Sequence, residues 1–128
     1  MNLDLEQEQT NINDLNIKQI KQQKNKLKKL FKDIDLKKEP LILNLIDEAS
    51  FMYTTLNRLK EKINKYGVKE AYMNGSNQYG YKDSVEAKTY NAMIKNYILV
   101  IKQLNELLPN DCEKINPEDE FDAFNNLK

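Results

Sequence analysis

The residue pattern predicts a mainly α fold: a helical hairpin core with an N-terminal basic helix and a short β-hairpin or ordered loop between the core helices. Three observations lead there. The composition is rich in charge, Leu, Ile, Asn and Gln, with only three Gly and three Pro, a balance that favours helices over a sheet of many turns. Long stretches carry apolar residues at the 3.6-residue helical period. Pro40, Gly67 and Pro109 fall where those stretches should start and stop. The 128 residues suffice for one core and are too few for two independent globular domains.

Residues 1–14 are polar and lack a sustained apolar period, which predicts a disordered or weakly ordered start, with Asp14 able to cap a helix beginning at Leu15. From about Leu15 to Ile34, Ile17, Ile20, Leu27, Leu30, Phe31 and Ile34 share one helical face and Lys18, Lys21, Lys28, Lys29 and Lys32 another. Glu39-Pro40 resets the chain, because proline suits the first turn of a helix and not its interior. The next stripe is Ile42, Leu45, Ile46, Ala49, Met52, Tyr53, Leu56, Leu59 and Ile63, ending near Tyr66 with Gly67 as a stop. Leu43 and Phe51 fall off it, either as single exposed apolar residues or as part of a second buried surface.

Residues 68–82 break the helical period, cluster Tyr72, Tyr79 and Tyr81, and contain Asn74-Gly75, a dipeptide suited to a tight hairpin turn. Two strands alone are marginal, so such a hairpin should lean on the helices or on a neighbouring subunit. Asp83 with Glu86 matches a capping box opening a third helix. Its stripe is Val85, Tyr90, Met93, Ile94, Tyr97, Val100, Ile101, Leu104 and Leu108, stopped by Pro109. The run at 97–101 is apolar around nearly its whole circumference, which predicts burial on two sides. Beyond it, Phe121, Phe124 and Leu127 recur every three residues in an acidic segment, either a short amphipathic helix that folds on a partner or a solvated tail.

The formal net charge of zero conceals a sorted distribution. Residues 18–38 hold nine lysines against Asp33 and Asp35, a balance of +7, whereas residues 106–128 hold seven acids against Lys114 and Lys128, a balance of −5. The two ends should therefore face different partners. With no histidine and Cys112 as the one cysteine, zinc sites and Ser-His or Cys-His triads are excluded, and no pair of acids stands out as a metal site. No catalytic constellation, cofactor motif or membrane segment is expected, and the lone cysteine fits a reducing cytoplasm.

The segment MNGSNQYGYKDS at 73–84 lies between a helix ending in Tyr66-Gly67 and one carrying YNAMIKNYILVIKQLNELLP at 90–109. This ordered arrangement resembles one family of phage terminase small subunits, in which an Asn-Gly-x-x-Gln loop follows a Tyr-Gly-like helix stop and a Lys-x-Ser element opens a helix ending in Leu-Leu-Pro. The match covers roughly residues 40–109; Val85 stands in a place that is often proline in that family. The resemblance implies a non-catalytic subunit, in the cytoplasm of an infected bacterial host, that binds viral double-stranded DNA, forms a homo-oligomeric ring and delivers the DNA to a large subunit carrying the ATPase and nuclease.

On this reading residues 1–38 are the DNA-binding segment, 39–109 the helical oligomerisation core and 110–128 the segment that docks on the large subunit. Lys18, Lys21, Lys28, Lys29 and Lys32 would contact phosphates, weakly specific for sequence because no Arg lies among them. Leu43, Phe51, Ile98 and Leu99 are the candidate oligomer interface, and Phe121, Phe124 and Leu127 the candidate large-subunit anchors. Tyr53, Tyr90 and Tyr97 lie on helical stripes and read as core; Tyr72, Tyr79 and Tyr81 either pack a subunit interface or anchor the hairpin. The alternative is a non-catalytic helical oligomeric adaptor that binds only proteins, its lysines serving solubility.

Overall fold

A computed structural model of the chain describes residues 2–75, 78–109 and 114–116. Helix α1 runs Asn2–Leu30, α2 Pro40–Tyr66 and α3 Val85–Leu107, with strands β1 (Lys69–Met73) and β2 (Tyr79–Asp83) between α2 and α3. The architecture is mainly α with one antiparallel hairpin, as the sequence predicts.

Helix α1 departs from expectation at both ends. It starts at Asn2 and passes through residues 1–14, the stretch expected to be weakly ordered, so Asp14 lies inside the helix and caps nothing. No Gly or Pro occurs before Pro40, and Glu, Gln and Leu all propagate helix without needing an apolar face. The helix stops at Leu30 instead of Ile34, where the amides of Phe31 and Ile34 turn to the carbonyls of Lys28 and Phe31 at 3.0 Å each. A 3₁₀ turn at Leu36–Lys38 comes next, capped by Asp35, whose carboxylate accepts from the Lys37 amide at 3.2 Å. Ile17, expected on the packed face, is 65% exposed.

Helix α2 keeps its expected limits. Pro40 occupies the first turn, and Gly67 ends the helix with its N–H donating to the Ile63 carbonyl at 2.7 Å. At φ 85° and ψ 178° the Gly67 backbone lies in a region essentially closed to residues with a Cβ. Ile42, Ile46, Ala49, Met52 and Leu56 are buried against Tyr97, Ile101, Leu104 and Leu108 of α3 and the residue after it, and the Tyr53 and Tyr97 rings meet at 6.3 Å and a 42° tilt. Burial of Tyr90 on the same stripe raises its phenol above the ordinary value of 10.0. Val85, placed on that stripe by its spacing, is exposed.

The N-cap of α3 is Ser84, not Asp83: its hydroxyl accepts from the Ala87 amide at 3.1 Å. Asp83 is instead the last residue of β2, opposite Lys69, whose ammonium it binds at 2.5 Å; that hydrogen bond and charge hold its carboxyl below the usual 3.8. The hairpin register pairs Met73 with Tyr79, and the Asn74 amide donates to the Gln78 carbonyl at 2.8 Å. Asn74-Gly75 therefore opens a longer loop and does not form a two-residue turn, which would have paired Met73 three residues on.

Helices α1 and α2 are antiparallel neighbours, tied by Asn16 to Arg58 and by Lys24 to Asp47. Leu27 and Phe31, at the C-terminal end of α1, enter the same buried cluster as the α2–α3 residues. Ile115 joins it too, held because Asn105 both donates to its carbonyl at 2.6 Å and accepts from its amide at 2.7 Å. Lys114 closes the end of α3 by donating to the carbonyls of Asn105 and Leu108, a favourable use of a cation at the negative end of a helix.

Candidate nucleic-acid interface

Helix α1 turns Gln23 and Leu27 inward, and Asn16, on the same arc, reaches across to α2. At 100° per residue, Lys18, Lys21, Lys28 and Lys29 fall within an arc of about 100° on the opposite side. All four are exposed, as is Lys32 in the turn after the helix. With a rise of 1.5 Å per residue, the row from Lys18 to Lys29 is about 16 Å long. None of the five makes an ion pair within the described residues. Lys24 differs, because its ammonium lies 2.5 Å from the Asp47 carboxylate on α2. Lys24 thus serves the α1–α2 contact, and the row beside it keeps its charge for solvent or a ligand.

Arg58 is the one arginine of the sequence. Its guanidinium donates to the Asn16 side-chain oxygen at 2.5 Å in a partly buried setting, which makes it a clasp between the helices as well as a surface cation. That contact lies outside what a helical period can reveal, since it joins residues 42 positions apart.

The four candidate interface residues do not behave alike. Leu43 is half-buried within the chain's own fold: the helical step puts it near Ser50 and Thr54, on the buried side of α2. Phe51 is 50% exposed on the side of α2 turned away from α3. Ile98 and Leu99 are 47% and 58% exposed, Leu99 on the side of α3 turned away from α2. Within one chain the run at 97–101 is therefore covered on one side only, and the outward apolar residues of α2 and α3 point in opposite directions.

The hairpin does not lean on the helices: its residues are exposed apart from the half-buried Glu70 and Gly80. Register places Met73, Tyr79 and Tyr81 on one face and Tyr72 with Gly80 on the other. The Tyr72 ring lies so close over Gly80 that a Cβ there would meet its Cζ and hydroxyl at 2.8 Å. The base is tied by the Lys69–Asp83 pair, by Lys82 and Glu70 at 3.6 Å, and by the Ser84 amide donating to the Val68 carbonyl at 2.9 Å.

No group of His, Cys, Asp and Glu among the described residues could hold a metal ion, and no helix among them is long and apolar enough to cross a membrane. The candidate anchors Phe121, Phe124 and Leu127 lie outside the described residues. Comparison of the chain with family models, with curated proteins and with solved structures returns no match.

Proposed function

We propose that the chain is a non-catalytic DNA-binding subunit of a phage packaging apparatus, the small subunit of a terminase, acting in the cytoplasm of the infected host. The observation that carries the reading is the row formed by Lys18, Lys21, Lys28 and Lys29 along one side of α1 with Lys32 in the turn after it, all exposed and without an ion pair within the described residues. A row of ammonium groups on a straight helix suits the phosphate backbone, where each contact releases condensed counterions. Lysine acts there as a point charge and carries little base information. The motif order at 66–109 supports the family within which this chemistry makes sense.

Assembly belongs to the same proposal. Two different apolar patches on opposite sides of the α2–α3 pair, Phe51 on one and Leu99 with Ile98 at the other, suit a head-to-tail contact, and such contacts close into rings when the rotation permits. The acidic segment with Phe121, Phe124 and Leu127 would then recruit the large ATPase and nuclease subunit.

One experiment tests the core of this. Fluorescence anisotropy of a labelled duplex should report binding that weakens steeply with salt, and replacing all five lysines by Gln should abolish it at low salt, with helicity unchanged and sedimentation still showing one species above the dimer. Unchanged affinity in the Gln variant would move the DNA site off α1. A monomer at micromolar concentration would overturn the ring.

A further inference from the structure

The ion pair of Lys24 with Asp47 and the bond of Arg58 to Asn16 fix how α1 and α2 run past each other. Because the helices are antiparallel, residues of α2 beyond Arg58 lie alongside residues of α1 before Asn16. Lys62 and Lys65 accordingly share a depression with Ile12 and Asn16. The lysine row of α1 ends at Lys18, two residues from Asn16 and a rise of about 3 Å. The cations of α2 therefore begin where those of α1 stop.

The two sets also lie on one side of the helix pair. One depression runs beside Lys21 and Lys28, a second shares Ile20 with it and reaches Arg58 and Lys62, and a third shares that pair and ends at Lys65 and Tyr66. At 100° per residue Arg58, Lys62 and Lys65 fall within an arc of about 60°. Lys62 and Lys65 are exposed and Arg58 is half-buried. None of the three makes an ion pair within the described residues. Glu61 is the acid in the lining of the third depression, which leaves three cations against one anion there. The bond to Asn16 takes one N–H of the Arg58 guanidinium and leaves the rest of the fork for an anion. The Lys65 ammonium lies 5.1 Å from the centroid of the Tyr66 ring, which holds it at the end of the helix.

We infer that Arg58, Lys62 and Lys65 are a second phosphate-contacting row, which carries the DNA track from α1 onto α2. The inference rests on the DNA-binding reading given above. Lys65 is seven residues beyond Arg58 and so lies beside a point about seven residues before Asn16. From Lys29 to that point the combined track is about 30 Å long, close to the roughly 34 Å of one duplex turn. The α1 row alone covers about 16 Å, or half a turn. A track of one sign along a straight edge suits a polyanion of regular charge spacing. Arg58 then touches Asn16 and a phosphate together, so bound duplex spans both helices.

Lys62→Gln with Lys65→Gln in the full chain removes two exposed charges and keeps good helix formers. Anisotropy of a labelled duplex over a range of salt reads the slope of log affinity against log salt. That slope should become shallower by about 1.8 for each subunit engaged, and affinity at about 0.1 M salt should fall at least tenfold. Adding Arg58→Gln should lower both again. Lys95→Gln with Lys102→Gln, two exposed lysines of α3, makes the same change in net charge and should leave the slope as it is. Thermal unfolding and sedimentation accompany each variant, because cations in the last turns of a helix also favour its dipole. A shallower slope with melting temperature and assembly unchanged supports the second row. An unchanged slope would overturn it, as would a loss equalled by the α3 control, which would assign the effect to net charge. A loss seen only where assembly changes would also overturn it and give these cations to an acidic protein neighbour. If the parent chain binds no duplex, the DNA-binding reading has failed and this inference with it. If the parent chain binds, the five-lysine Gln variant does not, and Lys62→Gln with Lys65→Gln changes nothing, the α1 row stands and only the second row falls.

Discussion

Where α2 meets α3, the facing side chains are Ile, Leu, Met, Ala and Tyr, buried without an orphaned polar atom apart from the Asn57 oxygen near the edge. Where α2 meets α1, the facing set is Asn16, Gln23, Ser50, Thr54 and Arg58, with apolar residues concentrated near Leu27 and Phe31. The Gln23 side-chain nitrogen and the Thr54 hydroxyl are buried there with no hydrogen-bond partner, and Ser50 is satisfied only by its own helix, donating to the Ile46 carbonyl at 2.7 Å. A dry apolar seam gains free energy over its whole area. A polar seam gains only what its bonds return, and each unmet buried group costs about 1–3 kcal/mol. The α2–α3 pair is thus the stable body of the protein, and α1 is fastened firmly at its C-terminal end and loosely along the rest.

The largest effect should come from damaging the dry seam. Ile101→Ala removes a fully buried side chain from the centre of the α2–α3 contact and should lower stability by about 2–5 kcal/mol, read as a fall in the urea midpoint. A loss below about 1 kcal/mol would mean that the seam is far less tightly packed than its burial indicates.

Relieving the polar seam should act in the opposite direction and more weakly. Thr54→Val keeps the shape and deletes the unpartnered hydroxyl, so it should leave stability unchanged or raise it by about 1 kcal/mol. Clear destabilisation would show that the hydroxyl has a partner in solution, such as a bound water, and would bring the two seams closer in character.

The smallest effect concerns the hairpin, which neither seam covers. Lys69 holds the Asp83 carboxyl below 3.8 in the folded chain, so the unfolded chain binds this proton more readily. The tie therefore contributes at pH above about 3.8 and is lost as pH falls through the depressed folded value. Acid titration should shift the Tyr81 ring resonances before the helical signal at 222 nm changes, and Lys69→Met should move that transition up toward the ordinary carboxylate value.

The same contrast explains what the sequence discloses. Helix α2 is legible to the residue because Pro40 and Gly67 act locally, and its stripe is legible because the dry seam is apolar. The first turns of α1 are not, since they have no apolar period to display and helix there comes from propensity and the absence of breakers. Ser84 escapes notice as a cap because Asp83 beside it is an equally good one by type; strand pairing with Lys69 decides between them. At the candidate site the lysine row can be read from spacing alone. That Lys24 is drawn to Asp47, that Arg58 clasps Asn16 and that Asn105 grips Ile115 depends on contacts between separate segments, which no local pattern encodes.

The ring of Tyr72 over Gly80 sets a rule for how this hairpin can drift over evolutionary time. A side chain at position 80 would push the exposed Tyr72 ring off the strand, so glycine at 80 is what lets an aromatic residue at 72 lie flat there. The two positions are coupled through that contact, whereas Met73, Tyr79 and Tyr81 lie on the other face. Among relatives of this chain, glycine at 80 should accompany an aromatic residue at 72, and the two should change together.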